Sequence, residues 1–179
     1  MKRYKKIFFA GLFFLSSSAI FAQAGEGYII TKDVNNGGGN ILTGTINKQL
    51  LQTDANFKKW YTPSQTEYKP DSSIVTAFKK AATKKLQFVL FGGTWCEDTQ
   101  FILPRFFKLQ ELGVVADNNI SFFGVDRSKK TLGNIAAAFG IVNVPTIIVM
   151  KDGKELGRVV EYGKTGKWDV ELTEIIGKL

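Results

Sequence analysis

From residue 71 onward, apolar residues follow two distinct spacings along the chain. After Asp71-Ser72-Ser73, which can cap a helix, they recur every three or four positions and predict a helix. Two continuous apolar runs, at residues 86–91 and 120–125, have the length of buried strands, and Gly92-Gly93 ends the first. The apolar positions of the helix are Ile74, Ala77, Phe78, Ala81 and Ala82.

The same part of the chain contains further predicted helices and a hairpin. The helices are predicted at residues 97 to about 110, 131–139 and 168–179. Pro104 should kink the first of them, because a proline removes a backbone hydrogen bond. Asp152-Gly153 is a strong turn signal between two strands, which are predicted at residues 146–150 and 155–162. The order α-β-α-β-α-β-β-α indicates an α/β fold in which helices flank a mixed sheet.

Residues 25–70 have a different composition, rich in Gly, Asn, Thr and Lys. The Asn-Asn-Gly-Gly-Gly-Asn stretch at 35–40 indicates a turn, and short strands are predicted on its two sides at residues 28–30 and 41–46. We therefore expect an N-terminal extension at 25–70 that packs on a main domain at 71–179.

Inside this extension, Asp54 can cap a helix that carries Phe57, Trp60 and Tyr61. Pro63 should end that helix, because proline lacks the amide hydrogen that the next turn needs. The three aromatic side chains are interpreted as contacts to the main domain rather than as a ligand site, because apolar side chains most often fill space in a core.

The first 24 residues have the pattern of a cleavable secretory signal peptide. Cationic side chains at residues 2–6 precede an apolar run at 7–15, and small residues then lead to Ala22-Gln23-Ala24. A membrane anchor, the alternative interpretation, needs about 20 apolar residues, and this run is shorter. We expect cleavage after Ala22 or Ala24 and a periplasmic or secreted protein without stable membrane insertion. A lipoprotein is excluded because no cysteine stands at the cleavage site.

Composition narrows the chemistry that the chain can perform. Its 179 residues include no histidine and one cysteine, and the net charge of +8 falls to +4 without residues 1–24, which carry four cations and no anions. The lack of histidine excludes Ser-His-Asp triads and HExxH zinc sites, and a lone cysteine excludes intramolecular disulfides and single-chain iron–sulfur clusters. Because no basic stripe is present, we expect no nucleic-acid partner, and we expect no metal and no cofactor.

The sequence resembles the thioredoxin family in two motifs and their spacing. Thr94-Trp95-Cys96 follows a predicted strand, and Pro104 comes eight residues after the cysteine, as in thioredoxins. Phe-Gly-Ile-Val-Asn-Val-Pro-Thr at 139–146 is similar to the family's Tyr-Gly-Ile-x-x-Ile-Pro-Thr stretch. The resemblance covers residues 71–179 and implies a thioredoxin fold with a cis Val144–Pro145 bond. The Phe-Gly-Gly-Thr-Trp-Cys-x-Asp-Thr form is similar to that of secreted thioredoxin-like proteins of the Bacteroidetes type.

The chain departs from that family at the residues that complete the reductase cycle. Thioredoxins use Cys-x-x-Cys, and the second cysteine position is Thr99 here, so the thiol that resolves a mixed disulfide is missing. The resemblance also implies a buried aspartate six residues before the first cysteine, with a lysine paired to it. This chain has Leu90 and Phe122 at those positions. The two-electron cycle of a dithiol is therefore ruled out for a single chain.

The candidate catalytic residues are Cys96 and Thr99. A cysteine at a helix start is close to unpaired amide groups and to the positive end of the helix dipole, which stabilise a thiolate. Thr99 is expected to donate its hydroxyl hydrogen to that thiolate. The backbone beside a cis Val144–Pro145 bond offers an unpaired edge that can hold an extended peptide, and Trp95 is expected to form a wall of that groove.

Three classes of function remain open. The first is thiol–disulfide exchange through the lone Cys96, with oxidised or unfolded proteins or small thiols as partners and an external thiol as reductant. The second is a redox-inactive module that holds peptides in the groove. The third is an accessory subunit whose residues 25–70 dock on a partner. We favour the first class, because binding alone gives no physical reason to keep a thiol at the helix start.

Overall fold

The structure of the protein, a computed structural model, describes residues 27–35 and 37–178. In this part of the chain six strands form one sheet in the order β1-β2-β4-β3-β5-β6. The strands are β1 (Tyr28–Asp33), β2 (Gly39–Ile46), β3 (Gln87–Gly92), β4 (Ile120–Gly124), β5 (Thr146–Lys151) and β6 (Lys154–Val160). The helices are α1 (Lys48–Thr53), α2 (Ala55–Glu67), α3 (Ser72–Thr83), α4 (Glu97–Leu112), α5 (Ile135–Ala138) and α6 (Trp168–Gly177), with a short 3₁₀ helix at Asp117–Asn119.

The sheet is mixed, as the order of predicted elements indicates. Strands β3 and β4 run parallel, and α4 forms the crossover between them that a parallel pair requires. The other neighbouring pairs, β1 with β2, β2 with β4, β3 with β5 and β5 with β6, are antiparallel. The predicted α/β class, a mixed sheet flanked by helices with the thioredoxin fold, is therefore confirmed.

Two hydrophobic cores lie on opposite faces of the sheet, because successive side chains of a strand point to opposite sides. Phe88 and Leu90 of β3 pack into the larger core, together with residues of α1 to α4 and α6. Phe91 packs into the smaller core with Ala136 of α5 and with Val144. The smaller core thus joins the strand that leads to Cys96 to the loop before β5.

The segment before residue 71 extends the same sheet. Strand β2 pairs with β4, and β1 pairs with the outer side of β2, so β1 is an edge strand. Helix α2 lies against α4, where the ring of Tyr61 is 6.4 Å from that of Phe107. Phe57 and Tyr61 are buried, and Trp60 packs against the larger core. These aromatic side chains therefore contribute to the core of the protein.

The predicted end of α2 at Pro63 is wrong, because the helix continues to Glu67. Side chains of α4 hold its last turn. Arg105 and Lys108 donate hydrogen bonds to backbone oxygens of that turn. These bonds satisfy carbonyl groups at the end of the helix, which have no partner within the helix. Contacts between helices therefore override the local effect of the proline.

The helix predicted over residues 131–139 is also too long, since α5 covers Ile135–Ala138 alone. Gly133 has φ +66°, in the left-handed region that a right-handed helix excludes, so the chain turns there. The turn at Asp152-Gly153 joins β5 to β6 as predicted, with φ of +50° and +76°. The predicted signal peptide at residues 1–24 lies outside the described residues. None of the described helices is long and apolar enough to cross a membrane.

Candidate functional site

Cys96 is the N-cap residue of α4 and follows β3 after a short turn. Its amide donates to the oxygen of Gly93 at 2.9 Å, and its own oxygen accepts from the amide of Gln100 at 3.0 Å. The side chain makes no capping hydrogen bond and is half-buried. The turn and the first helical bond therefore fix the backbone of Cys96, while the thiol remains accessible at the positive end of a 16-residue helix.

The peptide bond between Val144 and Pro145 is cis, and this loop lies beside the thiol. Cys96 Sγ donates a hydrogen bond to the carbonyl oxygen of Val144 at 3.3 Å. The carbonyl oxygen of Pro145 accepts from the amide of Glu161 at 2.7 Å. Within residues 27–35 and 37–178, the amide of Val144 has no hydrogen-bond partner. Val144 is itself buried, with 3% of its surface exposed, so this amide is an unpaired donor inside the protein.

Thr99 is buried one turn into α4, with 1% of its surface exposed. Its Oγ1 accepts a hydrogen bond from the amide of Gly93 at 3.2 Å, and the described contacts include none from Thr99 to Cys96. The expected donation to the thiol is therefore not present. The turn before α4 needs an acceptor for the amide of Gly93, and the Thr99 hydroxyl supplies it. The sulfur hydrogen-bonds to Val144 instead.

Trp95 lies between the thiol and the loop after β4. Its Nε1 donates to the oxygen of Val125 at 2.9 Å. The ring is packed so closely against Gly93 that a Cβ added there would be 2.5 Å from it. Trp95 and Cys96 line one open cavity of about 450 Å³ together with Asn35, Glu97, Asp98 and Arg127. The structure therefore places Trp95 and Cys96 on one cavity, and the Cys96 sulfur contacts the carbonyl oxygen of Val144, the residue before Pro145.

Sequence reasoning missed Arg127, which lines this cavity, and Asp33, which binds Arg127. Arg127 follows β4 and binds Asp33, at the end of β1, with two hydrogen bonds of 2.9 and 2.8 Å. The two residues are 94 positions apart, and no local pattern connects them. The one available signal was an aspartate between the predicted strand at residues 28–30 and the glycine-rich turn at 35–40.

Charges near the thiol shift the pKa of several neighbours. The hydrogen bond from Arg127 holds the pKa of Asp33 below its ordinary value, and the same bond raises the pKa of Arg127. On the opposite side of the helix start, burial raises the pKa of Tyr162, and the negative charge of Asp98 adds to that shift. Tyr162 also packs on Phe101 of α4 at 5.7 Å between ring centroids.

The positions behind the thiol carry no ionisable group. Leu90 and Phe122 are both buried in the larger core. The described residues contain no group of three or more acidic, cysteine or histidine side chains that could hold a metal ion. The ionisable side chains that line the cavity beside Cys96 are those of Glu97, Asp98 and Arg127.

A mixed sheet, a cysteine at a helix start and a cis-proline loop beside it together define a protein of the thioredoxin-fold class. A model of the family described as Thioredoxin matches residues 72–172, a little over half of the chain. The chain belongs to the thioredoxin family.

Curated relatives match about half of the chain. The chain is 34% identical over 94 residues to Thioredoxin-1 of Saccharomyces cerevisiae, which covers 49% of this chain and 85% of that protein. It is 32% identical over 84 residues to Thioredoxin-like protein R548 of Acanthamoeba polyphaga mimivirus, with 47% of this chain covered. The match spans 58% of the viral protein, less than two thirds of its length. A crystal structure of a protein of unknown function from Pseudomonas aeruginosa is similar with a TM-score of 0.48 and 17% identity, covering 73% of this chain and 86% of that one.

Proposed function

We propose that the protein performs thiol–disulfide exchange through Cys96 alone, as a periplasmic or secreted protein. The observation that carries the proposal is the position of Cys96 Sγ, at the start of α4 and 3.3 Å from the carbonyl oxygen of Val144. Membership of the thioredoxin family supports the same redox chemistry. The thiolate is the nucleophilic form of cysteine, and it is the form that takes part in the proposed reaction.

The proposed reaction uses one protein thiol and an external reductant. The Cys96 thiolate attacks one sulfur of a substrate disulfide, so that a bond forms between the two sulfurs and the substrate S–S bond breaks. The second substrate sulfur leaves as a thiolate and takes a proton from water. An external thiolate then attacks the substrate sulfur of the mixed disulfide and releases Cys96 as a thiolate. A second external thiolate attacks the sulfur of the first external thiol in this new disulfide. The substrate then leaves as a thiol, and the two external thiols end as a disulfide.

Binding of the substrate is proposed to use the backbone beside Pro145. The amide of Val144, which is buried and unpaired in the free protein, is proposed to bond a carbonyl oxygen of an extended peptide when the substrate binds. Trp95 forms a wall of the same cavity and offers an aromatic surface to the substrate. The proposed partners are therefore oxidised or unfolded proteins, or small thiols, together with an external thiol as reductant.

Thr99 has a supporting role in this proposal. It replaces a resolving cysteine, and its hydroxyl hydrogen-bonds the turn that precedes the helix. A mixed disulfide on Cys96 consequently has no second protein thiol to release it, because the chain contains one cysteine. The covalent adduct is therefore expected to persist until an external thiol arrives.

The test is the reaction of the folded protein with an aromatic disulfide at mildly acidic pH. One equivalent of aromatic thiol per chain should be released, and the folded protein should react faster than the chain in denaturant, because the fold holds the Cys96 sulfur at an accessible helix start. Cys96→Ser should release none and should retain its cooperative unfolding transition. If the folded and denatured chains react at the same rate, thiol–disulfide exchange is not the function.

A peptide-binding or accessory module without redox turnover is the second candidate. Two observations favour it: Thr99 is buried where a second cysteine would stand, and apolar Leu90 and Phe122 lie behind the site. Binding of an unfolded peptide that survives Cys96→Ala unchanged would support this candidate. Loss of most of the capture on the same substitution would support exchange, since the covalent bond then provides the capture.

The cell-envelope location is a separate part of the proposal. It rests on the charged, apolar and small-residue segments at residues 1–24. Mass measurement of the protein from its native host should find residues 1–22 or 1–24 removed. An intact N-terminus on cytoplasmic protein would contradict the location and would leave the thiol chemistry unaffected.

A further inference from the structure

Asp33, at the end of β1, is a buried carboxylate that reaches the candidate site through Arg127. Its side chain is 3% exposed, and its two oxygens accept from Nε and Nη2 of Arg127 at 2.9 and 2.8 Å. Oδ1 also accepts from the amide of Asn35 at 3.2 Å. Two parallel bonds fix the orientation of a guanidinium as well as its position. Asp33 therefore determines where Arg127 lies.

The guanidinium of Arg127 lies over the indole ring of Trp95, with 4.9 Å between its carbon and the ring centroid. A cation that lies over the face of an aromatic ring is attracted to that ring, so this contact helps to hold the Trp95 indole in place. The indole has three other contacts: its hydrogen bond to Val125, its close packing on Gly93, and the Nζ of Lys129 at 5.8 Å from the ring centroid. Arg127 thus restrains the ring by one of its faces, and this restraint depends on Asp33.

We propose that Asp33 is a positioning residue for the exchange reaction: it holds Arg127 over Trp95 and so fixes the wall of the Cys96 cavity. This inference rests on the proposed function. Asp33 lies outside residues 72–172, the region that matches the thioredoxin family. The segment before residue 71 therefore contributes to the site as well as to the core. Asn35, two residues after Asp33, lines the same cavity as Cys96.

This role predicts a difference between large and small substrates. A peptide is expected to dock against the Trp95 ring. If that ring is mobile, the disulfide of the bound peptide is held less often in a geometry that Cys96 can attack. A small aromatic disulfide reaches the sulfur without the wall. Asp33 has no hydrogen bond to Cys96, so its loss should affect the large substrate and leave the small one nearly unchanged.

The experiment compares Asp33→Asn with a matched control, Glu155→Gln. Glu155 also binds an arginine through both oxygens, with Arg158 Nε donating at 2.7 Å, and it does not line the Cys96 cavity. One readout is the hydrogen–deuterium exchange of the Trp95 indole N–H by NMR, assigned with Trp95→Phe. The second readout is the rate of adduct formation with an aromatic disulfide, and with a peptide carrying the same aromatic leaving group.

Asp33→Asn should speed exchange of the Trp95 indole hydrogen about tenfold and slow the peptide reaction about fivefold, with the small reagent changed less than about twofold. Glu155→Gln should match the wild type in all three measurements. In a Trp95→Phe background the effect of Asp33→Asn on the peptide reaction should disappear, because residues that act as one unit are not additive.

If Asp33→Asn fails to fold, the double variant Asp33→Asn/Arg127→Gln replaces it with the same expectations, since it leaves no buried charge unpaired. Two results would overturn the inference, provided that the wild type reacts with both reagents. In the folded variant, either the Trp95 indole hydrogen stays protected from exchange, or the rate falls equally with the peptide and the small reagent. A wild type that reacts with neither reagent would overturn the proposed function, and the positioning role with it.

Discussion

Leu90 on β3 is the register partner of Phe122 on the parallel strand β4, and both side chains are buried. The resemblance to thioredoxins implies an aspartate and a lysine at these two positions. Phe122 also packs on Phe107 of α4, at 5.7 Å between ring centroids. The apolar pair therefore continues the core behind Cys96, where a polar pair would interrupt it. Each of these two side chains is buried beside another apolar side chain, so neither leaves a polar group without a partner.

Replacing only one of these two apolar residues by a charged residue should therefore lower the free energy of unfolding. Leu90→Asp places a carboxylate among apolar side chains without a partner, and should lower the free energy of unfolding by about 3–5 kcal/mol. The double variant Leu90→Asp/Phe122→Lys should recover part of that loss, because the two side chains are neighbours. Urea unfolding checks both values.

The control is Leu90→Met, which keeps the volume and polarity of the site and should cost less than about 1.5 kcal/mol. Equal losses for Leu90→Met and Leu90→Asp would contradict the electrostatic argument and indicate that shape alone governs this position.

Lys108 is expected to stabilise the end of α2 beyond Pro63. Its Nζ donates to the backbone oxygens of Gln65 and Tyr68 at 2.9 and 2.7 Å. Lys108→Met should lower the free energy of unfolding by about 1–3 kcal/mol, because these are hydrogen bonds from a charged donor. Hydrogen exchange should rise most in the last turn of α2.

Lys79→Met is the control for Lys108, since Lys79 is exposed on α3 and should contribute less than about 0.5 kcal/mol. An unchanged exchange rate at residues 64–67 in Lys108→Met would show that the turn does not depend on α4.

The elements that were predicted from the sequence are those whose signals are local. The two apolar runs became β3 and β4, and Asp152-Gly153 became the turn of the hairpin. Cys96 stands at a helix start for the same reason, since a strand, a turn and a helical pattern follow one another there.

The features that were missed depend on partners far along the chain. The end of α2 is held by α4, about 40 residues away, so Pro63 alone was misleading. The pair of Asp33 and Arg127 joins residues 94 positions apart. Thr99 illustrates a third case, in which the residue was found and its partner was not. Its hydroxyl accepts from the amide of Gly93, a partner that depends on the path of the turn and that the sequence pattern does not indicate.

The pH dependence of stability should report the pair of Asp33 and Arg127. The pKa of Asp33 is lowered in the folded state, first by its hydrogen bond from Arg127. Such a group stabilises the fold above its unfolded pKa, and this contribution is lost as the pH falls through the folded pKa. The wild type should therefore lose more stability than Asp33→Asn between about pH 4 and pH 2.

Thermal unfolding of the two proteins across this range tests the pair. Near pH 7 the wild type should be the more stable, and the difference should shrink as the pH falls. A difference that stays constant with pH would mean that Asp33 stabilises the fold through its shape and not through its charge.

Thr99→Cys should convert the single thiol into a reducible pair. Residues three apart at a helix start lie on the same face, so the new sulfur faces Cys96. Sulfur is a weak acceptor for the amide of Gly93, so the variant should lose about 1 kcal/mol of stability. With a dithiol-specific reductase as the electron donor, the variant should reduce insulin with turnover. The wild type should show little turnover under the same conditions, because its mixed disulfide persists until an external thiol attacks it.

The rescue should remain partial, because Leu90 and Phe122 offer no group that accepts or relays the proton of the resolving thiol. Thr99→Ser is the matched control: it keeps the hydroxyl that bonds Gly93, adds no thiol and should show no turnover. Adding Leu90→Asp/Phe122→Lys to Thr99→Cys should then raise turnover further, provided that the triple variant unfolds cooperatively. If Thr99→Cys forms no intramolecular disulfide on oxidation, the two positions do not face each other, and the role of Thr99 as the replaced resolving residue is wrong. If it forms the disulfide and the added polar pair changes nothing, resolution is limited by access of the substrate to Cys96 rather than by proton transfer.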